Sequence, residues 1–348
     1  RKQYARGGVD TVRRVRFLRN PLATEVGCSV EDFLQFLGGP ASIFLDGVDT
    51  SRTRALVTLL HGNEPSGLMA LFRWLKSGRQ PAVNCVCLVG AVEAASRAPL
   101  FTHRMLPGAR DLNRCFKPPF DGAEGLLAEE ILEILRVHHP EAVVDMHNTS
   151  GSGPAFGVCT HLDREHDALV ALFTERMIVT RLNLGALMEI SEHSYPTVTV
   201  EVGGRLDDSA HDLAWSGLCR YFESERVLAG DAPVWDLEVL CDPVRLHLNP
   251  GVPLAYGEAP DPVAAVTLRQ DLEHFNFAKV GPEEHLGWVH GELRSLFWAQ
   301  DAGGRCVLSR LLRVEEGRLY PATRMTLFMI TTNATIARND CLFYTAPV

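Results

Sequence analysis

The segment LVTLLHGNEPSG, residues 56–67, runs mostly apolar and then stops at His61. Gly62 and Asn63 follow, then Glu64, Pro65 and a helical pattern. A short aliphatic run closed by turn residues predicts a buried strand. Pro65 suits the first turn of a helix, because its missing N–H has no helical partner to lose. The same run-and-stop recurs. ALVTLL (55–60), VNCVCLV (83–89), AVVDM (142–146) and TVTVEV (197–202) are all short and β-branched. Helical patterns lie between them at 65–76 and 123–138, and 207–225 reads as a closing helix. Strands alternating with helices predict an α/β domain with a largely parallel sheet covered on both faces.

After about residue 232 the chain changes character. CDPVRLHLNPGVPLAYGEAPDP (241–262) is punctuated by Pro and Gly. The β-like runs VAAVTL (263–268), RCVLSRLLRV (305–314) and MTLFMITT (325–332) follow. The expected division is therefore a catalytic domain over 1–235 and a smaller β-rich domain over 236–348. At 348 residues the chain exceeds the usual size of one domain.

Hydrophobic residues make up 46% and charged residues 22%, the balance of a globular protein. The net charge is −9 and the basic residues are scattered, so no nucleic-acid partner is expected. No apolar run approaches the roughly 18 residues that span a membrane. The basic start, RKQYARGGVDTVRRVRF, lacks an apolar core and is not expected to act as a secretory signal. Nine cysteines at irregular spacing, with no C-x-x-C pair, predict reduced thiols and a cytoplasmic location. Cys85 and Cys87 should face the same way along one strand.

Sites in α/β sheets form at the carboxyl ends of strands. His61 ends the first strong strand and Glu64 opens the next helix, so the two can converge on one ion. AVVDMHNTSG (142–151) also ends a strand in a histidine, His147. Asp145, two residues earlier, shares its face and can orient a metal-bound imidazole from behind. His61, Glu64 and His147 make a His2Glu set with an open fourth position, the pattern of a catalytic zinc. Taken singly, each histidine also reads as a hydrogen-bonding strand cap. In GARDLNRCF (108–116), Asn113 and Arg114 can grip a carboxylate, or Arg114 can pair with a surface acid. Glu201 interrupts the β-branched run TVTVEVGG; it is either a general base or half of a buried ion pair. The second H-x-x-E, His138 and Glu141, reads as a solvated helix end. GSGPAFG (151–157) lacks dinucleotide-loop spacing. No G-x-S-x-G, H-E-x-x-H or Walker A motif is present.

HGNEPSG, DLNRCF, DMHNTSG and VEVGG, in this order, resemble the succinylglutamate desuccinylase/aspartoacylase family of zinc carboxypeptidase-like hydrolases. The resemblance covers roughly residues 55–235. It implies a mixed sheet flanked by helices with a smaller β-rich C-terminal domain. It also implies one Zn²⁺ per chain on His61, Glu64 and His147, with Glu201 as catalytic glutamate. Asn113 and Arg114 match the pair that holds the substrate carboxylate. The arginine that polarises the scissile carbonyl falls to Arg104, with Arg110 as alternative. Two family features are missing: an arginine expected near Ser191, and a tyrosine expected in HFNFAKVGPEEH (274–285). The implied reaction is removal of an acyl group from a small N-acyl amino acid, by a desuccinylase- or deacetylase-type enzyme of amino-acid metabolism. The alternatives are a zinc carboxypeptidase acting on peptides and a non-catalytic metal- or ligand-binding homologue. A homo-oligomer is possible.

Overall fold

The structure is a computed structural model that describes residues 14–181, 184–228, 237–339 and 341–347. The basic start up to residue 13 and the expected boundary near 235 lie outside these residues.

The chain first lays down β1 (Arg16–Arg19), α1 (Val30–Leu37), β2 (Ala41–Leu45), β3 (Asp49–Thr58), α2 (Ser66–Ser77), β4 (Val83–Val89), α3 (Val92–Ser96) and α4 (Gly122–His138). It continues through β5 (Val143–Thr149), β6 (Phe156–Cys159), α5 (Arg164–Ala171), β7 (Arg176–Val179), α6 (Leu187–Ser191), β8 (Thr197–Gly204), α7 (Asp208–Glu223) and β9 (Glu238–Cys241). The nine strands form one mixed sheet in the order β1-β2-β4-β3-β5-β8-β6-β7-β9. β3, β4, β5 and β8, which carry the four apolar runs, pair in parallel. β2 on β4 and β6 on β8 run antiparallel.

Both faces of the sheet are covered. Leu56 packs with α1, α2 and α7, whereas its neighbours Ala55 and Val57 pack with α4. That alternation explains why the central strands read as continuous apolar runs. Trp74 of α2 meets Phe222 of α7 edge to face at 5.0 Å. Cys85 and Cys87 are free thiols, buried two residues apart in β4.

Arg54 is fully buried in β3. Its Nε donates to Glu141 at 2.6 Å, and its Nη atoms donate to the carbonyls of Tyr221, Ser224 and Glu225 at 2.6–2.9 Å. These carbonyls close the C-terminal end of α7, where a cation offsets the helix dipole. Glu141 is therefore not the solvated helix end expected from sequence but the partner of a buried arginine. His138 stacks on Phe44 at 5.0 Å.

Beyond β9 the chain is β-rich and has its own apolar core, including Leu246, Leu268, Phe297 and Leu327. One five-stranded sheet takes Val244–Leu248, Ala278–Val280, Phe297–Trp298, Met325–Phe328 and Phe343–Pro347. A second takes Leu254–Gly257, Val266–Arg269, Gly287–Val289, Leu312–Glu315 and Arg318–Pro321. RCVLSRLLRV differs from expectation: Leu308–Leu311 is a helical turn and only the end of the run is extended. Phe156 and Ile178 of the large sheet pack against Phe328 and Ala346, so this part lies against the rim of the large sheet. Among the described residues no helix is long and apolar enough to cross a membrane.

Replacing Arg54 with Met leaves Glu141 with only its longer contact to Arg52 at 3.4 Å and removes the Arg54 donors from the Tyr221 and Ser224 carbonyls, while Arg52 still reaches that of Glu225. We expect a loss of about 3–5 kcal/mol in unfolding free energy, read from the midpoint of urea denaturation.

Candidate active site

The join between β3 and α2 is shaped by backbone constraints. Leu59 takes φ +55°, costly for a branched side chain, and turns the chain out of the sheet. Gly62 then lies so close to the following segments that a Cβ would meet His103 O at 2.6 Å and Ala95 N at 2.7 Å. Its N–H donates to the Arg104 carbonyl at 2.8 Å. The absence of a side chain at residue 62 thus lets the Arg104 loop close over the histidine. Gly67 is equally constrained, since a Cβ there would fall 2.1 Å from Thr58 Oγ1.

His61, Glu64 and His147 converge, 4%, 6% and 3% exposed. Glu64 Oε1 lies 2.9 Å from His61 Nδ1, and Glu64 Oε2 lies 2.7 Å from His147 Nδ1. The Nε2 atoms turn the other way. That of His61 meets Asp111 Oδ1 at 2.9 Å. That of His147 lies 2.9 Å from Asp145 Oδ2, a contact poorly aligned for a hydrogen bond. Each imidazole thus has a carboxylate on both sides. If Nε2 of His147 carries the hydrogen toward Asp145, its Nδ1 lone pair points at the Glu64 carboxylate, and the two repel unless positive charge lies between them.

The site's electrostatics show the same need. Burial disfavours charge on both histidines, yet the surrounding carboxylates raise the pKa of each. Burial would raise Glu64 and Asp111, but the histidines hold both well below the usual carboxylate range, with Arg104 also acting on Asp111. The donor set, two nitrogens and a carboxylate facing one cleft, fits a divalent ion such as zinc.

Glu201 stands beside His147 in register across β5 and β8. Its Oε2 is buried without a hydrogen-bond partner among the described residues. Among the described residues no arginine pairs with it. Burial raises its pKa to about 7, with Glu64 and Asp145 adding and the histidines opposing.

Arg104 Nη2 lies 2.8 Å from His61 Nε2 and donates to Asp111 Oδ2 at 3.0 Å, while Nη1 is 3.3 Å from Glu64. Arg110, the alternative, pairs instead with Asp121 on the surface. Asn113 and Arg114 sit on a short helical turn, Leu112–Arg114, and both line the cleft. Asn113 Oδ1 accepts from Leu187 N at 3.0 Å, so only its amide nitrogen remains for a ligand. Ser191, where the family arginine would fall, is buried with Oγ 2.6 Å from Thr197 Oγ1. Phe275 and Phe277 supply no tyrosine from HFNFAKVGPEEH, but Tyr344 reaches the cleft from the C-terminal part.

Two positioning residues escaped the sequence reading. Asp111 caps the turn of Asn113 through its backbone N–H at 2.9 Å and also holds His61. Its position ahead of a helical turn was the available signal. Asn148 accepts from Ser66 N at 3.0 Å and donates to Ser66 Oγ at 2.8 Å and Gly203 O at 2.9 Å. It thereby ties the ends of β5 and β8 to the start of α2.

Residues 51–214 match the sequence model of the succinylglutamate desuccinylase/aspartoacylase catalytic domain. This matched segment, just under half of the chain, is similar to the family's catalytic domain. The family is one of hydrolases of acylated amino acids. A putative succinylglutamate desuccinylase/aspartoacylase from Shewanella frigidimarina has a similar fold, with TM-score 0.55 and 12% identity over 88% of this chain and 92% of that one. The succinylglutamate desuccinylase of Chromobacterium violaceum gives 0.53 and 13%, covering 86% of each chain. Murine aminoacylase 3 gives 0.51 and 17%, over 86% and 95%. A search of curated protein sequences returned no match.

Glu64→Gln removes the anionic ligand while keeping its shape. We expect it to lose one bound zinc ion per chain relative to wild type in equilibrium dialysis.

Proposed function

We propose that this protein is a zinc-dependent amidohydrolase that removes the acyl group from a small N-acyl amino acid. The observation that carries this reading is the orphaned Glu201 oxygen beside three converging donors, in a cleft that also holds Arg104, Asn113 and Arg114. His61 Nδ1, Glu64 and His147 Nδ1 would hold the zinc, which when bound acidifies water and polarises a carbonyl.

Glu201 takes the proton of the attacking water and then gives it to the departing amine. A carboxyl with a pKa near neutrality suits both directions of transfer. Arg104 donates to the oxygen on which negative charge develops. Asn113 and Arg114 hold the substrate carboxylate and set its orientation. Asp111 and Asp145 keep the two imidazoles turned with Nδ1 inward. The products are a carboxylate and a free amino acid.

Phe328, Met329 and Tyr344 contribute to the cleft from beyond residue 236. A wall supplied by the second expected domain favours a compact substrate over a peptide. Phe156, Val158, Ile178 and Met188 make much of the remaining lining apolar. Among the described lining residues, Arg104 and Arg114 are the arginine or lysine cations. Arg104 is engaged with Asp111 and Glu64, which leaves Arg114 for a substrate carboxylate. An uncharged acyl group is therefore favoured over a dicarboxylic one.

Zinc-loaded protein should release free amine from N-acetyl amino acids with apolar side chains at least tenfold faster, by kcat/KM, than from N-succinyl amino acids. Release from peptides alone would assign the chain to carboxypeptidase chemistry instead. Glu201→Gln should lower kcat by about 10²–10⁴-fold with zinc content unchanged. Arg104→Ala should cost about 10²–10³-fold in kcat. Full activity in Glu201→Gln would rule out this mechanism.

A further inference from the structure

A second group of nitrogen and oxygen donors lies where the loop after β6 meets the start of α5 and the end of α6. We propose that His161, His166 and Glu192 form a further zinc-type divalent-cation site, separate from the catalytic set, that ties these three segments together.

His166 Nε2 lies 2.9 Å from Glu192 Oε2, and His161 Nδ1 lies 3.6 Å from Glu192 Oε1. One ligand atom from each of the three residues falls within 4.8 Å of the others. The two imidazoles stack at a centroid distance of 5.7 Å. The His166 side chain is 2% exposed and that of Glu192 9%, whereas His161 is 61% exposed. Two donors are therefore fixed in the protein, and the third closes over them from solvent, leaving a path for the ion and for water ligands.

The surroundings point the same way. Asp163 Oδ1 sits 2.7 Å from His166 Nδ1, on the side of the ring away from Glu192. A carboxylate behind an imidazole fixes the ring's tautomer and orientation, as it does behind metal-bound histidines. Asp163 is itself held as the N-cap of α5, accepting from Glu165 N and His166 N at 3.0 Å each. Glu192 is fixed by Thr197 N, which donates to Oε2 at 2.6 Å. Two acids thus flank one buried imidazole. Two imidazoles with one carboxylate select zinc over magnesium or calcium, which prefer all-oxygen sites.

Such an ion would not touch substrate. Glu192 follows the end of α6, and Ala186 and Met188 at the other end of that segment line the cleft. The ion would brace one wall of the cleft from behind.

The decisive measurement is zinc content after equilibrium dialysis of the full chain. His161→Ala should bind one ion per chain fewer than its parent, both in wild type and in the Glu64→Gln background. Glu192→Gln keeps an oxygen for Thr197 N–H and should lose the same ion. The exposed His161 carries little of the fold, so zinc-free His161→Ala should melt with the zinc-free parent. Magnesium should not displace the zinc. Identical zinc content in His161→Ala and its parent, in both backgrounds, would overturn the proposal.

Discussion

The Glu64 carboxylate faces two Nδ1 atoms whose rings are each backed by an aspartate, and the rest of the cleft is arranged around that contact. Four acids, Glu64, Asp111, Asp145 and Glu201, surround two imidazoles and one guanidinium. Buried charges of one sign are costly, and the cost falls only when opposite charge enters. The structure can meet it with protons on the histidines, as their raised pKa values indicate, or with a divalent cation. The second does more, because a cation exchanges proton-holding groups for ligands with fixed directions.

The fold brings these groups together by parallel pairing. β3, β5 and β8 are neighbours in register, so three strand ends open at one edge. His61, His147 and Glu201 each come from one of these ends. Contacts outside the strands then fix the angles. Gly62 admits the Arg104 loop, Asp111 joins the Asn113 turn to His61, and Asn148 links Ser66 to Gly203. The Asp111–His61 bond and the bonds of Asn148 to Ser66 and Gly203 each join one sequence motif to another, which gives a physical reason for their occurring together.

Much of this was legible in the chain. His61, His147 and Glu201 stand out because a polar residue interrupts an apolar run, a local signal. Glu64 is readable because Pro65 marks the helix start. Asp111 and Asn148 were missed because they act across segments far apart in sequence, and an acid or amide in a turn has many ordinary uses. The choice between Arg104 and Arg110 depended on which loop Gly62 can admit, a matter of close approach that spacing does not encode. Leu308–Leu311 was misread because Leu and Arg suit a helix while the flanking Val residues suit a strand. The short strands β6, β7 and β9 lie mostly at the far side of the sheet and carry too few residues to show a period.

In the proposed mechanism the C-terminal cover and the buried Glu201 act together. Phe328 and Tyr344 narrow the cleft, and Glu201 sits at its floor with an unpaired oxygen. A cover that excludes water raises the cost of an ionised Glu201 and so moves its pKa toward neutrality. The same exclusion strengthens every interaction between Arg104 and charge that develops on a bound carbonyl. An open cleft would solvate Glu201, return it to an ordinary carboxylate and weaken the arginine together with it. In the proposed mechanism burial of Glu201 is therefore a requirement of the chemistry, and the apolar wall that imposes it also limits what can enter.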